Sequence, residues 1–266
     1  MTSSPIFPQA STQPFYYASV SSIWVYYFVA PKNVAPFLKN TGVEPALFDG
    51  QAMALLNFQR YTSHLAPVLS TVNEVQLNIV GYPAVRAAQT PAISLADFLA
   101  GGEQTKLIGA FRLWVPADNP NAVKGGRDLF YEPTFQTTFR YMVPDLNDPS
   151  QTTWDVTCND PTDPKQFIFT LNVDVSDLVF ATSVMSPVTQ YTLDPKRHLF
   201  SYAWNLNGPF QSALLDDGGP TIQFGQSAHP MRADMQRLLD GAKPVGVQIF
   251  DSPPAAASTR GFLVVP

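Results

Sequence analysis

Short apolar and aromatic runs, each closed by turn residues, dominate the chain. "SIWVYYFV" (22–29), "AMALLNFQRY" (52–61), "EVQLNIVGY" (74–82), "LIGAFRLWV" (107–115), "TWDVTC" (153–158), "FIFTLNVDV" (167–175) and "PVGVQIF" (244–250) are rich in β-branched and aromatic residues. The 25 prolines and 15 glycines are spread throughout and cut the chain into these pieces. Repeated short runs of this kind predict a mainly β protein with few helices, an antiparallel double sheet or β-barrel. Three segments carry helical signals instead. "PKNVAPFLKN" opens on Pro31, with Pro36 keeping it short. "SLADFLAGG" has Ser94 as N-cap and Gly101 as stop. "HPMRADMQRLLDG" places Pro230 in a first turn, Met231, Met235 and Leu238 on one face, and Gly241 after the end. No internal repeat and no interior linker marks a boundary, so residues 1–266 are expected to form one domain. Residues 1–14 are expected to be a loose N-terminal arm, and "SPPAAASTRG" (252–261) a second loose stretch.

Composition narrows the class. Charged residues are 14% of the chain, against about 25% in ordinary globular domains, while apolar residues reach 45%. That balance fits a compact strand-rich protein with part of its surface covered by subunit contacts. A net charge of −5, without a cluster of Lys and Arg, excludes nucleic acid and anionic membranes as expected partners. No run approaches the ~18 apolar residues of a membrane span. Cys158 is the single cysteine, which rules out an internal disulfide. A soluble, cytoplasmic protein is the expectation.

Most routes to chemistry close quickly. His64, His198 and His229 lack the spacing of a helical metal pair, so no metal site is expected. No G-x-S-x-G elbow or phosphate loop is present, and no cofactor is expected. Two carboxylates say more. Glu74 shares a strand face with Val72, Gln76 and Asn78 if its segment is extended, a pattern that fits a solvent-facing acid ahead of a pocket acid. Glu132 precedes Pro133, whose ring drives it toward extended geometry and aims it to the same side as Thr134. "GGR" at 125–127 reads as a turn.

The segment "WVPADNPNAVKGGRDLFYEPTF" (114–135) resembles the central signature of the acetoacetate decarboxylase superfamily. There an Asp-Asn segment leads to Gly-Arg-Glu, an aromatic stretch and Pro-Lys-Lys. Asp118-Asn119 and Gly126-Arg127-Asp128 fall at the corresponding spacing. "VYYFVAPKNVAPFL" with "VEPALF", "TVNEVQLNIV", and "GPTIQFGQSAHPM" with "KPVGVQIFDS" are similar to the family's early, glutamate-bearing and closing segments. The resemblance implies one domain, a barrel-like double sheet around a small polar pocket, a small-molecule substrate and a homo-oligomer. It also implies a lysine that attacks a ketone to form a Schiff base.

That nucleophile's position is Thr134 here, and the second lysine's is Phe135. Thr has no amine and forms no imine. An arginine near the family's start is replaced by Ser21 or Ser22. Of the seven lysines, Lys124 lies nearest but ten residues before Thr134. In exchange, Glu132 stands where the family has an aromatic. With Glu74 in its family position, two carboxylates share a partly apolar pocket, which raises carboxyl pKa values and sets an acid against a base. The expectation is therefore a lyase or isomerase of dehydratase or cyclase type, in specialised biosynthesis, using acid-base rather than Schiff-base catalysis on a keto or enone compound. Glu74, Glu132 and Thr134 are its expected catalytic residues, with Trp114, Tyr131 and Arg127 binding substrate. Arg127 reads more readily as an ion pair with Asp118 or Asp128 holding the turn, and Trp114 and Tyr131 more readily as core aromatics. The alternatives are a non-catalytic small-molecule-binding protein and a decarboxylase with a displaced lysine.

Overall fold

The computed structural model describes residues 15–64, 69–144, 147–148, 150–184, 187–206, 208–216, 218–252, 256–258 and 261–264. The expected arm at 1–14 lies outside them. In chain order the first strands are β1 (Phe15–Val29), β2 (Val43–Pro45), β3 (Ala52–His64), β4 (Leu69–Pro83), β5 (Gly109–Ala117), β6 (Thr134–Gln136) and β7 (Phe139–Met142). The middle of the chain supplies β8 (Thr153–Asn159), β9 (Phe167–Asp174), β10 (Ala181–Val184), β11 (Val188–Leu193) and β12 (Leu199–Leu206). The last are β13 (Pro209–Leu214), β14 (Thr221–Phe224), β15 (Lys243–Ser252), β16 (Ala256–Ser258) and β17 (Phe262–Leu263). The α-helices are α1 (Pro31–Leu38), α2 (Leu95–Leu99), α3 (Pro120–Phe130) and α4 (Pro230–Leu238), with a 3-10 turn at Ala84–Gln89.

A thirteen-stranded sheet carries the molecule, and a four-stranded sheet (β14-β9-β8-β7) packs against it. In the large sheet β1, β3, β4 and β5 are sequential antiparallel neighbours, and β11 and β6 both join β5 in parallel. The sheet curls so that β12 approaches β1 through the short β16, which pairs with both. The architecture is thus two sheets, the larger strongly curled, rather than a regular closed barrel. β16 corrects the reading of 252–261 as loose at Ala256–Ser258, which form the seam, while 253–255 and 259–260 lie outside the described residues.

The curl separates two apolar clusters. On the outer face Val25, Leu56, Phe58 and Leu77 meet Trp154, Val156, Phe169 and Leu171 of the small sheet. Strands buried on both faces explain why their sequences run apolar without clean alternation. Met231, Met235 and Leu238 of α4 join this cluster, each 0% exposed. Burying a side chain of this size contributes roughly 1.5–3 kcal/mol. On the inner face Trp24, Leu55, Tyr61, Val80 and Trp204 form the second cluster.

All three expected helices form, and Ser94 caps α2 by accepting from the Asp97 amide (3.1 Å). The reading of Gly125-Gly126 as a turn is corrected: both lie inside α3. Asn119 caps that helix by accepting from the Asn121 and Ala122 amides, Pro120 occupies its first turn, and Tyr131 ends it at φ 54°. The cap and proline outweigh the two glycines.

Candidate active site

The inner face contains a narrow polar cleft between β3, β4, β5, α3 and β12. Its walls include Gln59, Tyr61, Glu74, Gln76, Arg112, Glu132, Tyr202 and Trp204, closed on the apolar side by Phe15, Tyr17 and Phe130. It holds about 30 Å3, room for two or so water-sized groups. A substrate reaching Glu74 must therefore displace a lining side chain, a common change on binding.

Alternation along β4 sends Glu74, Gln76 and Asn78 inward, while Val75, Leu77 and Ile79 enter the outer core. Glu74 is 7% exposed and does not face solvent. Gln59 and Gln76 each donate a side-chain amide hydrogen to its Oε1 (2.7 and 2.6 Å), and the Tyr61 hydroxyl donates to Oε2 (3.2 Å). Burial, and then the negative charge of Glu132, nonetheless raise its pKa to about 7. Donors favour the carboxylate, but removal from water and a like charge outweigh them.

Arg112 is the second buried charge. Its Nη1 donates to Asn78 Oδ1 (3.1 Å) and to Gln76 Oε1, its Nε to the Tyr202 hydroxyl (3.4 Å), and its Nε lies 3.6 Å from Glu132 Oε1. Burial opposes its charge, but Tyr202 and Glu132 outweigh burial and raise its pKa. The Tyr202 hydroxyl donates to Glu132 Oε1. Burial and that carboxylate push the Tyr202 pKa far up, so the phenol keeps its proton. Two cleft atoms are buried and have no partner among the described residues: Gln59 Oε1, an acceptor, and Trp204 Nε1, a donor.

Gly126 makes room for Glu132. A Cβ there would lie 2.6 Å from Glu132 Oε2 and 2.9 Å from Thr134 Cγ2. The Glu132 amide donates to the Gly126 carbonyl (3.1 Å), and the Thr134 amide donates to the Glu132 carbonyl across Pro133 (2.8 Å), so the segment folds over the end of α3.

The structure thus brings Glu74 and Glu132 together, and places the other four expected site residues elsewhere. Thr134 donates its hydroxyl to the Val123 carbonyl (3.0 Å) and does not line the cleft. Trp114 faces the outer core, where its Nε1 donates to Asp234 (3.0 Å) and its ring meets Phe135 and His229. The reason is a bulge: β4 pairs Leu77 with Trp114 and Asn78 with Arg112, leaving Leu113 extra, so Arg112 and Trp114 point to opposite faces. Tyr131 is 37% exposed and packs edge-on against Phe200. Arg127 is exposed on α3 and makes no ion pair among the described residues; Asp128 pairs with Lys124, and Asp118 accepts from Asn73.

Arg112, Gln59, Gln76, Tyr61, Tyr202 and Trp204 were not singled out by the sequence reading. Arg112 had a signal, a lone charge inside the apolar run "LIGAFRLWV" of a charge-poor chain. Among the described residues no lysine lines the cleft. Among them, too, no cluster of three or more His, Cys, Asp or Glu side chains could hold a metal, and no helix is long and apolar enough to cross a membrane.

No protein-family model matches the sequence, and no curated protein matches it. Solved structures do. The enduracididine biosynthesis enzyme MppR, complexed with the condensation product of pyruvate and imidazole 4-carboxaldehyde, superposes with a TM-score of 0.60 at 13% identity, over 96% of this chain and 90% of MppR. An acetoacetate decarboxylase-like enzyme from Sphingomonas wittichii RW1 gives 0.58 at 16% identity, over 97% and 96% of the two chains. Acetoacetate decarboxylase from Legionella pneumophila gives 0.57 at 10% identity, over 99% and 93%. The chain therefore has an acetoacetate decarboxylase-like fold along nearly its whole length.

Proposed function

We propose that the chain is an enzyme of the acetoacetate decarboxylase-like superfamily that acts on a small keto or enone compound by moving protons rather than through an imine. The observation that carries this reading is Glu74, a buried carboxyl with a pKa of about 7 in a cleft whose described lining contains no lysine. A carboxyl set near working pH can take a proton and give it back within one turnover, a contribution of about 10²- to 10⁴-fold.

In this mechanism Glu74 removes a proton from the carbon next to the substrate carbonyl. The resulting enolate oxygen accepts from the free Trp204 N–H, within the field of the Arg112 guanidinium. Glu74 then returns the proton to a different carbon, which is isomerisation, or to a departing hydroxyl, which is dehydration. Gln59 Oε1 accepts from a substrate hydroxyl. Glu132 holds Arg112 and Tyr202 in place and keeps the Glu74 pKa high. The complexes of MppR with pyruvate and with a pyruvate condensation product make 2-oxo acids the first substrates to try.

The test follows hydrogen exchange at C3 of pyruvate and other 2-oxo acids, the carbon next to the ketone, in D2O by NMR, with aldehydes added and products sought by mass spectrometry. Glu74→Gln and Glu132→Gln should each slow turnover at least about tenfold, and unchanged rates in both would remove the mechanism. Tight binding without exchange or product would favour a non-catalytic binding protein. Borohydride with a ketone should leave no adduct; a lysine adduct would restore the imine route.

A further inference from the structure

The inner face carries a second cavity that the proposed chemistry leaves unused. It holds about 60 Å3 and is half-open, walled by Trp24, Tyr26, Leu55, Phe98 and Ile108, with Glu103 and Lys106 from the loop before β5. The two spaces are distinct. Trp24 of this cavity stacks on Trp204 of the Glu74 cleft, with ring centroids 5.8 Å apart and planes 19° from parallel. Along β4, Val80 faces this cavity and Gln76 the other, while Asn78 between them donates to Asn57 and accepts from Arg112.

The polar atoms here are unevenly satisfied. The Tyr26 hydroxyl donates to Gln248 Oε1 (2.8 Å), and the Gln248 amide donates to the Leu99 carbonyl (2.5 Å). Glu103 is 4% exposed. Its Oε1 accepts from the Thr105 amide (2.7 Å) and hydroxyl (2.5 Å), whereas its Oε2 is buried and has no partner among the described residues. Lys106, held at φ 58°, donates to the backbone carbonyl of Glu103, which commits one of its three hydrogens. A buried carboxyl oxygen without a donor is unfavourable, and a hydrogen bond donated by a ligand relieves that cost.

These requirements select a ligand group. A ketone or carboxylate would set lone pairs against Glu103 Oε2, and an ammonium would sit beside the Lys106 ammonium. A hydroxyl donates to one and accepts from the other through a single oxygen. The aromatic walls suit a flat ring. The volume takes roughly five water-sized groups, so a ring fits with its far edge in the opening. We propose that this cavity is a second small-molecule site, specific for a neutral aromatic hydroxy compound toward which the Glu103 side chain turns, so that its buried Oε2 accepts the ligand hydroxyl.

The test uses the full chain with phenol, fluorobenzene and benzoate as probes, by calorimetry and ligand-observed NMR. Fluorobenzene keeps the size of phenol without its donor. Phenol should bind at least about tenfold more tightly than fluorobenzene, equivalent to roughly 1.4 kcal/mol, and benzoate more weakly than either. Glu103→Met should bring phenol down to the fluorobenzene level, and Ala110→Leu, which fills the cavity, should abolish binding of both. Equal affinities for phenol and fluorobenzene, no phenol binding, or phenol binding undiminished in folded Ala110→Leu would each overturn the proposal. If Ala110→Leu does not fold, NOEs from phenol ring protons to the Leu55 and Ile108 methyls in the unmodified protein locate the site. Phenol binding without those NOEs overturns it.

Discussion

Glu74 receives three donors that favour its charged form, and still its proton is held to about pH 7. Burial and Glu132 account for that, with a consequence for stability. A carboxyl whose folded pKa exceeds its ordinary 4.5 binds protons more tightly in the folded state. Its stabilising contribution is fully present below 4.5 and is lost as pH rises through about 7. A tenfold change in proton affinity corresponds to about 1.4 kcal/mol, so a difference of a few kcal/mol is expected between pH 4.5 and roughly pH 8. Carboxylates held low, such as Asp174 and Asp194, titrate below this window. Urea unfolding at several pH values should show Glu74→Gln losing less stability than the natural chain as pH rises; parallel curves would contradict the raised pKa. Glu74 was legible through a family likeness, because alternation alone left solvent and pocket open. Arg112 carried a signal as a lone charge in an apolar run, but its pairing with Tyr202 and Glu132 did not, since nothing in a strand's local pattern says which long-range partner will neutralise a charge.

At the scale of elements, α3 and the bulge in β5 decide which residues reach the cleft. Two glycines in sequence read as a turn, yet a strong N-cap and Pro120 carry the helix through them. Gly126 is then a site of close approach rather than of chain reversal, and Gly125 is not: a Cβ on Gly125 meets nothing within 4 Å. Gly125→Ala should therefore stabilise the fold by about 0.5–1 kcal/mol through helix propensity. Gly126→Ala should displace Glu132, lower Tm and reduce turnover at least about tenfold, since general acid-base help is worth that much or more. Melting curves of the two variants check the contrast, and equal behaviour would contradict the packing of Glu132 on α3. The bulge puts Trp114 on the face opposite Arg112, a placement that period-2 alternation along the sequence does not show, because one extra residue shifts every later side chain. Thr134, read from the same regularity, is drawn away by the Val123 carbonyl.

At the scale of the whole molecule, the β class was readable because apolar, β-branched runs between prolines have few other uses. The curl was not, because β5·β11 and β1·β16 join segments far apart in sequence, and such pairings leave no local mark. The curl gathers an arginine and two glutamates into one interior while leaving the lysines off the described cleft wall. Turnover in this chain would therefore depend on a protonatable Glu74 rather than on an amine. The most direct test is a ¹³C NMR titration of the glutamate side-chain carboxyls, with Glu74 assigned by comparison with Glu74→Gln. The predicted result is an inflection at about pH 7 that moves downward in Glu132→Gln, where a like charge is removed and Arg112 is freed. An inflection in the ordinary carboxylate range near 4.5, unmoved by that substitution, would contradict it.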